Sequence, residues 1–260
     1  MRFPLRCLIL LSALLVFRPT CAAQEIRVAA AADLKFALDE LGTHYEKQTG
    51  RKMDVSYGSS GNFLAQIQNG APFDVFLSAD IEYPRKLEAA GLAEPGTLYE
   101  YALGRIVIWM PADTRIDLAQ LGWKALLDPS IQKIAIGNPE HAPYGRAAVA
   151  ALRSVGIYEQ VRAKLVYGEN IAQAAQFVAS GNAQAGILAL SLAISPPMRE
   201  GKRWEIPAKM HPPIEQAAVI LKSAKDKDSA RAFLTFLKSG EARKILESYG
   251  FSVPASAQTQ

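Results

Sequence analysis

Cysteine is almost missing from this chain: there are two in 260 residues, Cys7 and Cys21, and both lie ahead of Ala23. If that leading segment is removed, no disulfide, thiolate nucleophile or thiolate-held metal remains, and the fold must hold by packing alone. Histidine is nearly as scarce. His44, His141 and His211 stand far apart, with no second histidine or carboxylate at ligand spacing, which argues against a metal site. Past the first residues there is no apolar run near the roughly 20 residues that a membrane span needs. An excess of one charge is lacking too. The formal net charge is +4, yet Arg2, Arg6 and Arg18 all belong to the leading segment. Without them about 26 basic residues face 25 acidic ones, a balance that argues against nucleic acid as a partner.

The leading segment has a definite form. Arg2 and Arg6 precede an apolar core from Cys7 to Phe17, followed by Arg18-Pro19-Thr20-Cys21-Ala22-Ala23. This reads as a secretory signal cleaved after Ala23, and its core of about eleven residues is too short to span a bilayer. Cys21 raises the alternative of a lipid-anchored cysteine, although Arg18-Pro19-Thr20 lacks the apolar and small residues that such a processing site prefers. The expected product is exported and soluble. Its roughly 237 residues suffice for one large domain or two small ones.

Strand and helix patterns alternate along the rest. Residues 26–30 read as a buried strand, and a helix from Asp33 to about Gln48 carries Leu34, Ala37, Leu38, Leu41 and Tyr45 on one stripe. Asp33 suits its N-cap and Gly50 its stop. A second unit runs from the strand 53–57 through Gly58-Ser59-Ser60-Gly61 into a helix ending near Gly70, and a third from 74–79 into a helix through Leu87. The pattern restarts near Gly104 with a strand at 105–110, a helix at 118–127 and strands at 134–137 and 164–167. A helix at 171–180 capped by Asn170 and a strand at 186–190 follow. The proline-rich stretch 196–213 reads as irregular, the residues 217–221 as a strand, and two helices surround Phe233 and Ile245. Such alternation implies largely parallel sheets flanked by helices, arranged as two α/β lobes.

Four junctions share one design, in which an apolar run ends in small or polar residues that open a helix: Ala32-Asp33, Gly58-Ser59-Ser60-Gly61, Ala142-Pro143-Tyr144-Gly145 and Glu169-Asn170-Ile171. Helix N-termini present unpaired N–H groups and a positive dipole end, so several aimed at one point bind an anion without any cationic side chain. Ligands of such sheets bind beyond the carboxyl ends of the strands, where these turns lie. Taken singly, each feature has a plainer reading. Gly58-Ser59-Ser60-Gly61 reads as a turn, Tyr144 as core, and Asp74, Ser78 and Asp80 as helix caps and hinge residues. Glu140-His141 reads as loop scaffolding beside the site.

Four stretches together resemble the periplasmic molybdate-binding proteins of bacterial ABC importers, which have a type II two-lobed fold. They are Gly58-Ser59-Ser60-Gly61 with Ala65-Gln66-Ile67, the run from Gly70 to Asp80, the run from Gly137 to Gly145, and Glu169-Asn170-Ile171-Ala172-Gln173-Ala174. The resemblance implies a non-enzymatic, monomeric periplasmic receptor that captures molybdate, and tungstate with it, for a membrane permease, with no cofactor. It implies lobe one at 24–103 plus 212–260 and lobe two at 104–211. It also implies oxyanion contacts from Ala32, Asp33, Ser60, Tyr144 and Ile171, with molybdenum met only through its oxygens. Ser60 stands at the family's serine, Tyr144 follows the tyrosine-bearing branch, and Ile171 takes a position that is typically valine. Ala189 replaces a tyrosine found in some members.

The first junction departs from the resemblance, since members of that family often carry serine, or threonine followed by asparagine, where this chain has Ala32 and Asp33. A carboxylate about 4 Å from another unit negative charge costs roughly 4 kcal/mol at an effective dielectric near 20. Four alternatives stay open: Asp33 turns back to cap its own helix, it is protonated and donates, it accepts a proton carried by a ligand such as phosphate, or the alignment is shifted by one residue. Accordingly, a receptor for sulfate or phosphate is the alternative ligand class. A serine hydrolase using Ser60 with His141 or His211 is the remote one, since no Gly-x-Ser-x-Gly elbow is present.

Overall fold

The computed structural model describes residues 25–254, so the expected signal segment and both cysteines lie outside the described residues. In chain order the strands and helices are β1 Ile26–Ala31, α1 Lys35–Thr49, β2 Met53–Gly58, α2 Ser60–Gln68, β3 Val75–Ser78, α3 Glu82–Ala89 and β4 Tyr99–Gly104. Then come β5 Ile106–Met110, α4 Leu118–Leu121, β6 Ile134–Gly137, α5 Pro143–Ser154, α6 Tyr158–Val161, β7 Leu165–Gly168, α7 Ile171–Ala179, β8 Ala185–Ala189 and α8 Leu190–Ala193. The last are β9 Lys202–Glu205, β10 Ile214–Ile220, α9 Lys227–Leu237 and α10 Gly240–Ser248.

These form two five-stranded sheets of order β2-β1-β3-β10-β4 and β7-β6-β8-β5-β9. In the first, β1 is parallel to β2 and β3, while β10 returns antiparallel between β3 and β4. In the second, β6 is parallel to β7 and β8, and β5 runs antiparallel to β8 and β9. The central strands β3, β6 and β8 are buried along their whole length, as apolar runs covered by helices on both faces must be. Leu38 and Tyr45 of α1 pack with Phe233 and Leu246 on one face of the first sheet, and Phe63, Phe76 and Leu87 fill the other. A third core surrounds the second sheet and reaches Ala31, Ala32 and Ala79 of the first, so the two lobes are closed against each other.

The chain passes between sheets at Arg105 and again through 206–213. Arg105 Nε donates to Glu205 Oε1 at 2.6 Å and ties the two crossings together. The α1 stripe and its stop are as the sequence implies: Gly50 has a φ of 70°, and its amide donates to Glu46 O. Two segments differ from the elements expected of them. The irregular stretch 196–213 contains β9 and a 3₁₀ turn at Ala208–Met210. As an edge strand β9 buries little besides Trp204, so its alternation is too short to read. The helix expected over 118–127 ends after one turn at Gly122, whose φ of 50° breaks it before a 3₁₀ segment, Gly122–Leu127, that brings Trp123 edge-on to Trp204.

Candidate functional site

All five expected site residues line one cavity between the lobes. Ala31, Ala32, Asp33, Gly58, Ser59, Ser60 and Ala79 come from the first lobe, and Ala142, Pro143, Tyr144 and Ile171 from the second. The enclosed space is small, on the order of a single water molecule, and excludes an organic ligand. The lining holds no lysine or arginine.

Each contributor is placed by a local rule. Ser60, Tyr144 and Ile171 fall in the first turns of α2, α5 and α7, where N–H groups have no intrahelical partner. Pro143 opens α5, where a missing N–H costs nothing. Asn170 caps α7 by accepting from Gln173 N at 3.0 Å, which leaves the first N–H groups of α7, that of Ile171 included, free of the cap. Ser60 Oγ accepts from Ala79 N at 2.9 Å, so its own proton is available to a ligand.

Asp33 does not cap α1. A 3₁₀ turn, Ala32–Leu34, intervenes, and neither it nor α1 has a side-chain cap. The carboxylate instead enters a buried network built from both lobes: Tyr144 Oη donates to Asp33 Oδ2 at 2.8 Å, and Gln216 Nε2 donates to the same oxygen at 2.5 Å and to Tyr144 Oη at 2.9 Å. Gln216 is held in turn, accepting from Tyr101 Oη at 2.8 Å. Asp33 Oδ1 is buried and lacks a hydrogen-bond partner. Burial pushes the Asp33 pKa up to about 6, against the lowering effect of Gln216, Tyr144 and its own backbone amide. Burial, with Asp33 nearby, drives Tyr144 and Tyr101 far above the usual phenol range. Gln216 was not foreseen from sequence, although a fully buried glutamine within an apolar strand is a signal in itself.

Two clasps flank the cavity. At its mouth Ser59 Oγ meets His141 Nδ1 at 2.9 Å, Gly61 N donates to His141 O at 3.0 Å, and Asn62 Nδ2 donates to Glu169 Oε1 at 2.6 Å. On the other side Arg146 of α5 bonds Asp80 Oδ2 at 2.5 Å and Tyr83 Oη at 2.8 Å. Asp80 also accepts from Glu82 N at 2.9 Å at the start of α3, while Asp74 accepts from the amides of Arg27 and Lys225. Neither histidine considered as a base for Ser60 is seen hydrogen-bonded to it. His141 is engaged with Ser59, and His211 Nδ1 lies 2.7 Å from Pro212 O. Among the described residues no group of three or more His, Cys, Asp or Glu side chains is placed to hold a metal ion.

Two α/β lobes closed over a small, cation-free cavity of helix N-termini define a solute-binding protein. The chain belongs to the bacterial extracellular solute-binding protein family, whose model matches residues 26–252. It is 40% identical over 236 residues to the molybdate-binding protein ModA of Azotobacter vinelandii, covering 90% of this chain and 92% of that one. Identity to the Rhodobacter capsulatus molybdate-binding protein ModA is 39% over 230 residues, covering 88% and 89% of the two chains. The solved Azotobacter vinelandii periplasmic molybdate-binding protein superposes with a TM-score of 0.83 at 37% identity, covering 88% of this chain and all of the other. The chain is a binding protein and not an enzyme.

Proposed function

We propose that this chain captures molybdate, and tungstate by the same geometry, outside the cytoplasmic membrane and delivers it to the permease of an ABC importer. The observation that carries this reading is the meeting of three helix N-termini, from α2, α5 and α7, with the turn at Ala32–Leu34 around one cavity that no cationic side chain lines. Ser60, Tyr144 and Ile171, with Ala32 and Asp33, are the residues assigned to the anion's oxygens; none ligates the metal itself. Lobe one is taken as 24–103 plus 212–260 and lobe two as 104–211, with the ligand bridging them. The exported form is a monomer beginning near Gln24.

Capture works by closure. Donors of either lobe alone satisfy only part of the anion, so the closed state is favoured when ligand is present. Dipoles fixed in a small dry cleft bind the dianion without a full countercharge, which keeps release to a permease feasible. Selectivity over sulfate follows from cavity size. Titration calorimetry of the chain from Gln24, stripped of anion, should show tight binding of molybdate and tungstate and little response to sulfate or phosphate. Preference for sulfate or phosphate would refute the ligand assignment.

A further inference from the structure

Asp33 is the element of the site that the oxyanion reading does not absorb, since it sets a carboxylate where a dianion is to sit. Both of its side-chain donors, Tyr144 Oη and Gln216 Nε2, fall on Oδ2, and Oδ1 is left buried without a hydrogen-bond partner from any other residue, in a residue lining the cavity. Two donors on one oxygen direct the proton of the neutral acid to the other. A protonated Oδ1 would then face the anion as a donor and find in it the partner that it lacks. Among the described residues no lysine or arginine lines the cavity to compensate the ionised form. The charged groups on elements packed around it are engaged elsewhere: Lys35 with Asp39, Arg146 with Asp80, and Glu169 with Asn62 and His141. The remaining titratable groups facing it, Tyr144 and Tyr101, already carry their protons.

We propose that Asp33 is a specificity-determining proton site: it holds the captured dianion as a neutral acid, donating from Oδ1, so that each anion is taken up together with one proton from solvent. This inference rests on the molybdate reading and adds to it a coupling to pH. Its sign follows from linkage. With ligand bound, the proton is held on Asp33; in the open, empty protein, where Tyr144 has withdrawn and water reaches the carboxyl, it is released at neutral pH. Affinity therefore falls as pH rises, by about tenfold per pH unit for one coupled proton. A buried carboxyl already pushed up to about 6 without ligand supports this direction.

The test is calorimetric titration of the chain from Gln24 with dilute molybdate between pH 6.5 and 8.5, in paired buffers of different ionisation enthalpy, for wild type and Asp33→Asn. The asparagine mimics the neutral acid, because its oxygen can accept from Tyr144 and Gln216 while its amide donates to the anion. The wild type should take up close to one proton per molybdate at pH 8 and lose about a hundredfold in affinity over the two pH units. Asp33→Asn should take up none and bind with a flat pH profile, more tightly than wild type at pH 8.5. Tight binding by wild type without proton uptake overturns the proposal and leaves the ligand assignment intact. Uptake that persists in Asp33→Asn also overturns it, transferring the proton to the His141 and Glu169 pair. Absence of molybdate binding by both proteins at every pH overturns the ligand reading and this inference together. The wild-type proton count alone decides the matter if the variant does not fold.

Discussion

Ser59 and Ser60 are adjacent in sequence and both buried, yet their hydroxyls serve different ends, and that difference can be measured. Ser60 Oγ accepts from Ala79 N within its own lobe, leaving its proton for the anion, whereas Ser59 Oγ is engaged across the cleft with His141 Nδ1. A hydrogen bond to a charged acceptor contributes about 1.5–3 kcal/mol, and a neutral one about 1 kcal/mol. Ser60→Ala should therefore weaken molybdate binding by roughly 10- to 150-fold, and Ser59→Ala by roughly fivefold through the lost clasp. Ser60→Ala also leaves the Ala79 amide unpaired, but in open and closed states alike, so that cost cancels in the dissociation constant. It appears separately as a loss of about 1–2 kcal/mol in urea unfolding of the empty protein. Titration calorimetry on the two variants reads the contrast. If Ser60→Ala binds within threefold of wild type, or if Ser59→Ala is the more damaging, the anion does not rest on the Ser60 hydroxyl and the assignment is wrong.

Two glycines separate folding from closure. A Cβ on Gly61 would lie 2.7 Å from His141 O on the opposite lobe, so Gly61→Ala should leave the empty protein as stable as wild type, or slightly more so from helix propensity, while weakening molybdate by about tenfold or more. Differential scanning fluorimetry with and without molybdate checks this, and an unchanged ligand-induced shift would count against it. A Cβ on Gly145 meets Gly137 O at 2.0 Å inside one lobe, so Gly145→Ala should cost roughly 3 kcal/mol or more of unfolding free energy whether or not ligand is present. The Arg146–Asp80 pair is partly exposed, 39% and 25% at the side chains, and such pairs contribute about 0.5–1 kcal/mol. Asp80→Asn should therefore raise the dissociation constant only two- to fivefold, with the difference from wild type shrinking as salt is added.

How much of this was legible in the sequence depends on how far apart the interacting residues lie. Ser60, Tyr144, Ile171 and the Asn170 cap are readable because each belongs to a strand-to-helix junction whose signal spans a few residues. Gly50 and the α1 stripe are readable for the same reason. The Asp33 network is not. Its partners stand 111 and 183 residues away on Tyr144 and Gln216, and the Ser59–His141 contact spans 82. Local propensity made Asp33 an N-cap, and tertiary contacts overrode it once a 3₁₀ turn separated the residue from α1 and two donors from other elements reached its carboxylate. The edge strand β9 leaves no readable alternation, because most of its side chains face water.

The overridden rule bears directly on function. A carboxylate that capped α1 would stay ionised, stabilised by the helix dipole, and would remain a permanent negative charge beside the cavity. It is held instead between Tyr144 of one lobe and Gln216 of the other, so under the proposed capture mechanism the carboxyl would lose water as ligand draws the lobes together. Desolvation and the incoming dianion both disfavour its charged form, so the two effects act in the same direction and at the same moment. Asp33 thereby sits where the two lobes meet, at the contact through which the proposed proton would be coupled to closure.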